Sequence, residues 1–263
     1  MPKRSSHNQK SHRRVAAIEI LPIAGLPEIK EGDDLVAKIV EAARRARITF
    51  EKGDVLVIAQ KIVSKAEGRI AELAAVVPSP RAVQLAAKLK KDARLIEVIL
   101  GESRRIVRSD PVLIVETHHG FVCANAGVDQ SNIPGVDVVS LLPRDPDATA
   151  RQVCDGLRKR TGKGIAVIIS DTFGRPWRLG LTNVALGSSG VPTLVDLRGT
   201  RDLLGKPLHA TIIAVVDELA AAAGLLMGKA AGIPVAVVRG YRYKATVDFA
   251  ARIIRPADED LFR

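Results

Sequence analysis

Two short stretches of this chain carry residue types that could do chemistry together. In the first, the apolar, β-branched run 165–169 leads into Ser170-Asp171-Thr172. A buried strand there would deliver a carboxylate and a hydroxyl to its C-terminal end, where open α/β sheets place their ligands. Gly174, Arg175, Trp177, Arg178 and Gly180 follow at once, and a loop with two guanidinium forks and the chain's one tryptophan suits an anionic, partly planar ligand. The second stretch is Asn125-Ala-Gly-Val-Asp129-Gln-Ser131-Asn132. If Asp129 and Asp171 converge, they form an all-oxygen site of the kind that holds Mg²⁺ or Mn²⁺ with waters and phosphates. Lys65, Arg175 and Arg178 would then neutralise phosphate charge, because phosphoryl transfer is mostly positioning and charge stabilisation. The plainer alternative, strands that end in solvated polar turns, stays open at this level.

The elements that must position these residues alternate along the chain. A short strand after Val15 leads through a Pro- and Gly-punctuated loop to a helix capped at Asp33 or Asp34, with Leu35, Ile39, Val40 and Ala43 on one face. Gly53-Asp54 turns into the apolar strand 55–59, and directly beyond it QKIVSKAEGR (60–69) gathers Gln60, Lys61, Ser64, Lys65 and Arg69. That segment reads equally as a phosphate site or as a basic edge strand. Ser79-Pro80 opens a helix continuing to Lys91, and a further helical stretch lies around 95–100. Segments 106–115 and 120–126 read as strands joined by a polar turn at His118-His119. Two adjacent histidines have poor spacing for a shared metal. Asp147 is expected to cap a helix through Arg160 that stops at Gly162. Residues 211–216 read as a strand, Asp217-Glu218 opens an alanine-rich helix, and 233–238 is a last apolar strand. The order predicts one α+β (mixed α/β) unit over residues 15–263, preceded by a disordered basic tail, 1–14.

Composition narrows the classes. A hydrophobic content of 47% with only 3% aromatics predicts a core of Ala, Val, Leu and Ile. No apolar run approaches the roughly 20 residues of a membrane helix, so a cytoplasmic location is the expectation. Cys123 and Cys154 read as buried free thiols. The formal charge of +11 would fit nucleic acid or an anionic small molecule. Five of the basic residues lie in the first fourteen positions, and few aromatics are available for base stacking, so nucleic acid is the weaker reading. There is no Walker loop: Gly156 to Lys163 and Gly199 to Lys206 place five residues between their glycines, where that loop has four.

Taken together, GLPEI at Gly25, QKIVSKAEGR at Gln60, NAGVDQSN at Asn125, ISDTFGRPWRLG at Ile169, DELAAAAGLLMGK at Asp217, PVAVVRG at Pro234 and the terminal RPADEDLF form an ordered set. The set resembles the coenzyme F420-0:γ-glutamyl ligases, in which F420 denotes a deazaflavin. It also resembles the ligase half of their bifunctional relatives. The resemblance implies a two-lobed fold without a P-loop, an intertwined homodimer, and a GTP-dependent ligase that joins L-glutamate to F420-0 (the deazaflavin phospholactate) through an acyl phosphate, then adds further γ-linked glutamates. It further implies Asp129, Asp171 and Thr172 as ligands of two divalent ions, Mg²⁺ or Mn²⁺, with K⁺ as a third candidate. Leu26, Pro27, Glu28, Ile29, Gln60, Lys61, Lys65, Asn132, Met227 and Gly228 correspond to its GTP-contacting positions. Lys229 departs from the acidic residue that some members carry after Met-Gly. Another metal- and nucleotide-dependent carboxylate–amine ligase is the alternative.

Overall fold

The computed structural model describes residues 17–260, so the expected basic tail lies outside the described residues. In chain order the elements are β1 (Glu19–Pro22), α1 (Leu35–Arg45), β2 (Val55–Ala59), α2 (Gln60–Ala66), β3 (Ile70–Glu72), α3 (Pro80–Leu89), α4 (Ala93–Gly101), β4 (Ser103–Ser109), β5 (Leu113–Thr117) and β6 (Val122–Ala124). They continue with β7 (Val138–Ser140), α5 (Pro146–Thr161), β8 (Ala166–Arg175), β9 (Arg178–Ser189), β10 (Val195–Asp196), β11 (Ile212–Ile213), α6 (Val215–Met227) and β12 (Val235–Arg239).

The main sheet has the order β1-β12-β2-β8-β9, and only its β2–β8 pair is parallel. Its three central strands are apolar on both faces because both faces are covered. Leu56, Ile58, Val167, Ile169, Val235 and Val237 join a core with α1 and α5, while the intervening Val55, Val57, Ala166, Ile168, Ala236 and Val238 pack against α6. A third core, built on Ile96, Ile99, Leu113, Val115 and Val139, holds α3 and α4 against the β4-β5-β6 sheet. The mixed α and β content agrees with expectation.

Several helix ends follow the sequence rules. Asp34 and Ser79 accept from the third amide beyond them, and α5 stops at Gly162, whose φ of 68° is the left-handed conformation that glycine adopts without cost. Four expectations need correction. Residues 60–66 form α2 and not a strand. Segment 106–115 contains two strands, β4 and β5, separated by a turn. Residues 215–216 belong to α6, leaving only Ile212–Ile213 as strand. The cap of α5 is Asp145, which accepts from the Ala148 amide at 2.9 Å. Asp147 instead reaches out of the first turn and accepts from the Ser188 and Ala250 amides, both at 2.8 Å, tying α5 to β9 and to the C-terminal segment. Both cysteines are buried and free, as expected. Among the described residues no helix is long and apolar enough to cross a membrane.

Candidate active site

The parallel pairing of β2 with β8 sets the C-terminal end of β2 beside the middle of β8. Ala59, the last residue of β2, pairs with Ser170, so Gln60 at the start of α2 comes beside Asp171, which stays in β8. A cavity of about 600 Å³ opens there, within the range of small-ligand pockets. Leu26, Pro27, Glu28 and Ile29 from the loop before α1, Gln60, Lys61 and Lys65 from α2, Asp129 and Asn132, Asp171 and Thr172, and Met227 and Gly228 after α6 all line it. Segments distant in sequence thus supply one surface.

Arg175 is not among them. β8 does not end at Ser170 but runs on to Arg175, because β9 supplies a hydrogen-bonding partner along its whole length, from Val167↔Ser189 to Arg175↔Arg178. Arg175 and Arg178 therefore face each other at the exposed tip of a hairpin, and Arg175 donates weakly to the Leu179 carbonyl at 3.4 Å. A bulge lies in the same ribbon between Ile169 and Ser170, opposite Gly187 and Ala185. The Ala185 amide beside it is taken by Asp217 of α6 at 2.8 Å. Bulges next to functional sites re-aim side chains, and this one lies one residue before Asp171.

The two carboxylates meet different surroundings. Burial alone would push Asp129 up. The Lys61 ammonium at 2.6 Å and the Ser131 amide and hydroxyl at 2.9 and 2.7 Å outweigh it and hold the pKa at about 2. Burial raises Asp171 to about 6, Asp129 adds to the rise, and the Thr172 amide, Lys229 and Lys61 only partly offset it. Acidic pairs whose environments push their titrations apart mark functional sites. Cys123 lies close enough for Asp171 to act on it: burial first, then that carboxylate, push the thiol up to about 12.

Asp171 ionises against its surroundings, and this has a consequence for stability. The folded chain holds the proton more tightly than the unfolded one, whose carboxyl titrates near 3.8. The resulting stabilisation is present below pH 3.8 and is lost as the pH rises through about 6. Asp171→Asn is therefore expected to raise the melting temperature of chelator-treated protein at pH 8 and to leave it nearly unchanged at pH 4. Melting curves of both proteins at the two pH values check this.

The other contacts are polar and oxygen-rich. Lys65 pairs with Glu28 at 2.6 Å, Thr172 donates to Asn183 Oδ1 at 3.0 Å, and Asn132 donates to the Lys229 carbonyl at 3.2 Å. Ser170 Oγ lines the cavity and is buried without a hydrogen-bond partner. Among the described residues no three His, Cys, Asp or Glu side chains are grouped for a metal. The donors present are two carboxylates with hydroxyl and amide oxygens, a set that fits a hard divalent ion completed by water and phosphate.

The sequence profile described as F420-0:Gamma-glutamyl ligase matches residues 25–240. The chain belongs to this ligase family. Among related proteins, the coenzyme F420:L-glutamate ligase of Methanothermobacter thermautotrophicus is 45% identical over 250 residues, covering 94% of this chain and 99% of the relative. Those of Methanopyrus kandleri and Methanocaldococcus jannaschii are 46% and 40% identical over 252 and 257 residues, covering 94% and 97% of this chain and 98% and 99% of the relatives. Within this F420-0:γ-glutamyl ligase chain, Ser170, Asn183, Leu181 and Leu225 line the cavity although sequence reasoning had not assigned them to the site. Asn183 faces Thr172 only through the β8–β9 register, which no local pattern encodes. Ser170 was within reach, since it adjoins Asp171 at the end of an apolar run.

Proposed function

We propose that this protein joins L-glutamate to the deazaflavin F420-0 at the expense of GTP. The observation that carries the reading is the single cavity in which a split-titration carboxylate pair, Asp129 and Asp171, lies beside Lys61 and Lys65. In this reading the γ-phosphoryl of GTP passes to the lactyl carboxylate, and GDP leaves. The glutamate amine then attacks the acyl carbon, the amide bond forms, and phosphate and a proton are released. Lys65 and Lys61 would draw the phosphate oxygens into the cavity, and the loop 26–29 and Gln60 would read the base. Asn132, Met227 and Gly228 would complete the nucleotide contacts. Asp129, Asp171 and Thr172 would hold divalent cations, Mg²⁺ or Mn²⁺, which supply charge neutralisation on the phosphates. K⁺ is a further candidate, and addition of further γ-linked glutamates belongs to the same reading. Arg175 would reach phosphate only by a movement of the hairpin or from a second copy. The homodimer is part of the proposal, supported by Trp177, Leu179 and Leu181, which are 88%, 100% and 62% exposed on that hairpin.

The test supplies F420-0, glutamate and Mn²⁺ with either GTP or ATP, and follows the glutamylated product by mass and the release of nucleoside diphosphate. Turnover with GTP is expected to exceed that with ATP clearly. Equal rates would remove the base-reading role of 26–29 and Gln60, and product formed only with a different amino acid would favour another carboxylate–amine ligase. Light scattering on the same preparation checks the dimer.

A further inference from the structure

The Lys61 ammonium is surrounded by oxygens as a metal ion would be. Its Nζ lies 2.6 Å from Asp129 Oδ2 and 3.0 Å from Ser131 Oγ, and it also contacts the Ser131 carbonyl oxygen. Ser131 holds the carboxylate in place with its amide on Oδ1 and its hydroxyl on Oδ2. The pair is partly shielded, with the side chains of Lys61 and Asp129 16% and 36% exposed. Among the described residues no ammonium or guanidinium pairs directly with Asp171, on which Lys61 and Lys229 act only through space.

We propose that Lys61 is an internal cation that occupies the Asp129 end of the acidic pair and has to leave before a divalent ion can bind there. The proposal rests on the metal role suggested above for Asp129. Ammonium and divalent ion need the same lone pairs on Oδ2, and two positive charges a few ångströms apart in a half-buried site repel strongly. The exchange is local. Lys61 rides on α2, one turn before Lys65, and both lysines line the same cavity. An ammonium expelled from Asp129 is therefore released beside the second cation, and metal loading converts a neutralised lysine into one free for phosphate. Lys65 is held in the same manner by Glu28, whose side chain is 54% exposed.

The test measures Mn²⁺ binding to chelator-treated protein without nucleotide, from the loss of the free-ion electron paramagnetic resonance signal. The wild type is compared with Lys61→Met, which keeps the length of the stem and removes the charge, and with Asp129→Asn. Lys61→Met is expected to tighten Mn²⁺ binding up to about fivefold, the effect of removing a bound competitor of ordinary ion-pair strength. A lysine that only braced the 129–132 loop would give the opposite result, because its loss would loosen the carboxylate. Unchanged or weaker Mn²⁺ binding in a variant with a wild-type circular dichroism melt overturns the exchange. Lys61→Gln is read in the same way should the methionine variant not fold. Asp129→Asn protein that binds Mn²⁺ as tightly as wild type overturns the metal role of Asp129 itself, and the exchange with it.

Discussion

Asp129→Asn and Asp171→Asn are each expected to lower the rate of glutamate addition at least about a hundredfold, near 2.7 kcal/mol of barrier, while leaving the fold intact. Each change keeps the size of the side chain and one carbonyl oxygen but removes a charge from one of the two aspartates lining the cavity. The two should not behave alike in other respects. Asp129→Asn releases Lys61 from a partly exposed ion pair, which costs about 1 kcal/mol of stability or less. Asp171→Asn relieves a buried carboxylate and stabilises the chelator-treated protein above pH 6. If the pair acts as a unit, as proposed above, the double variant should be little slower than the slower single one. Raised Mn²⁺ should partly restore a single variant. Carboxylates that merely anchored turns would change the melting temperature and spare the rate, so near-wild-type turnover in either single variant would sink the shared site.

Gly187→Ala is expected to cost about 3 kcal/mol or more of stability. A Cβ on Gly187 would lie 2.2 Å from the carbonyl carbon and oxygen of Pro146 and 2.8 Å from the Asp147 amide nitrogen. These are backbone atoms in the first turn of α5, and no rotamer can relieve the overlap. The helix would have to lift off β9, taking with it the Asp147 bonds to the Ser188 and Ala250 amides. Urea unfolding of Gly187→Ala beside Gly101→Ala checks the argument. Gly101, at the end of α4, has open space where its Cβ would go, so alanine there should be neutral or stabilise by up to about 1 kcal/mol. Equal midpoints for the two variants would show that the contact between α5 and β9 yields easily.

Much of the scaffold was legible because its signals are local. The strand β2, the first part of β8 (166–169) and β12 up to Val238 are unbroken apolar runs, since both of their faces are covered. Asp34, Ser79 and Gly162 follow capping rules that depend on a few neighbouring residues. Where two local solutions were close in energy, the neighbours chose. Asp145 and Asp147 are both able to cap α5, and the Ser188 and Ala250 amides drew Asp147 away. The polar segment 60–66 is too short to show a helical period, and its helix follows from the turn that the chain makes on leaving β2.

The amino-acid sequence by itself determined the inventory of the site: the acidic residues Asp129 and Asp171, the lysines beyond β2, the loop 26–29 and the Met227-Gly228 turn, in an order that identifies a ligase family. Only the tertiary structure decided which of these residues share a cavity. The residues from Leu26 to Gly228 line one cavity, and β2 ends there in parallel pairing with Ser170 of β8, across more than a hundred positions of chain. The β8–β9 hairpin moved Arg175 away. Gly174 and Gly180 are ordinary loop signals, yet hydrogen bonding between β8 and β9 keeps the ribbon extended through both, confines the turn to Pro176-Trp177 and carries both arginines to its tip. The fold also brings Lys61 onto Asp129, sixty-eight positions apart, a contact that no periodicity or composition could reveal.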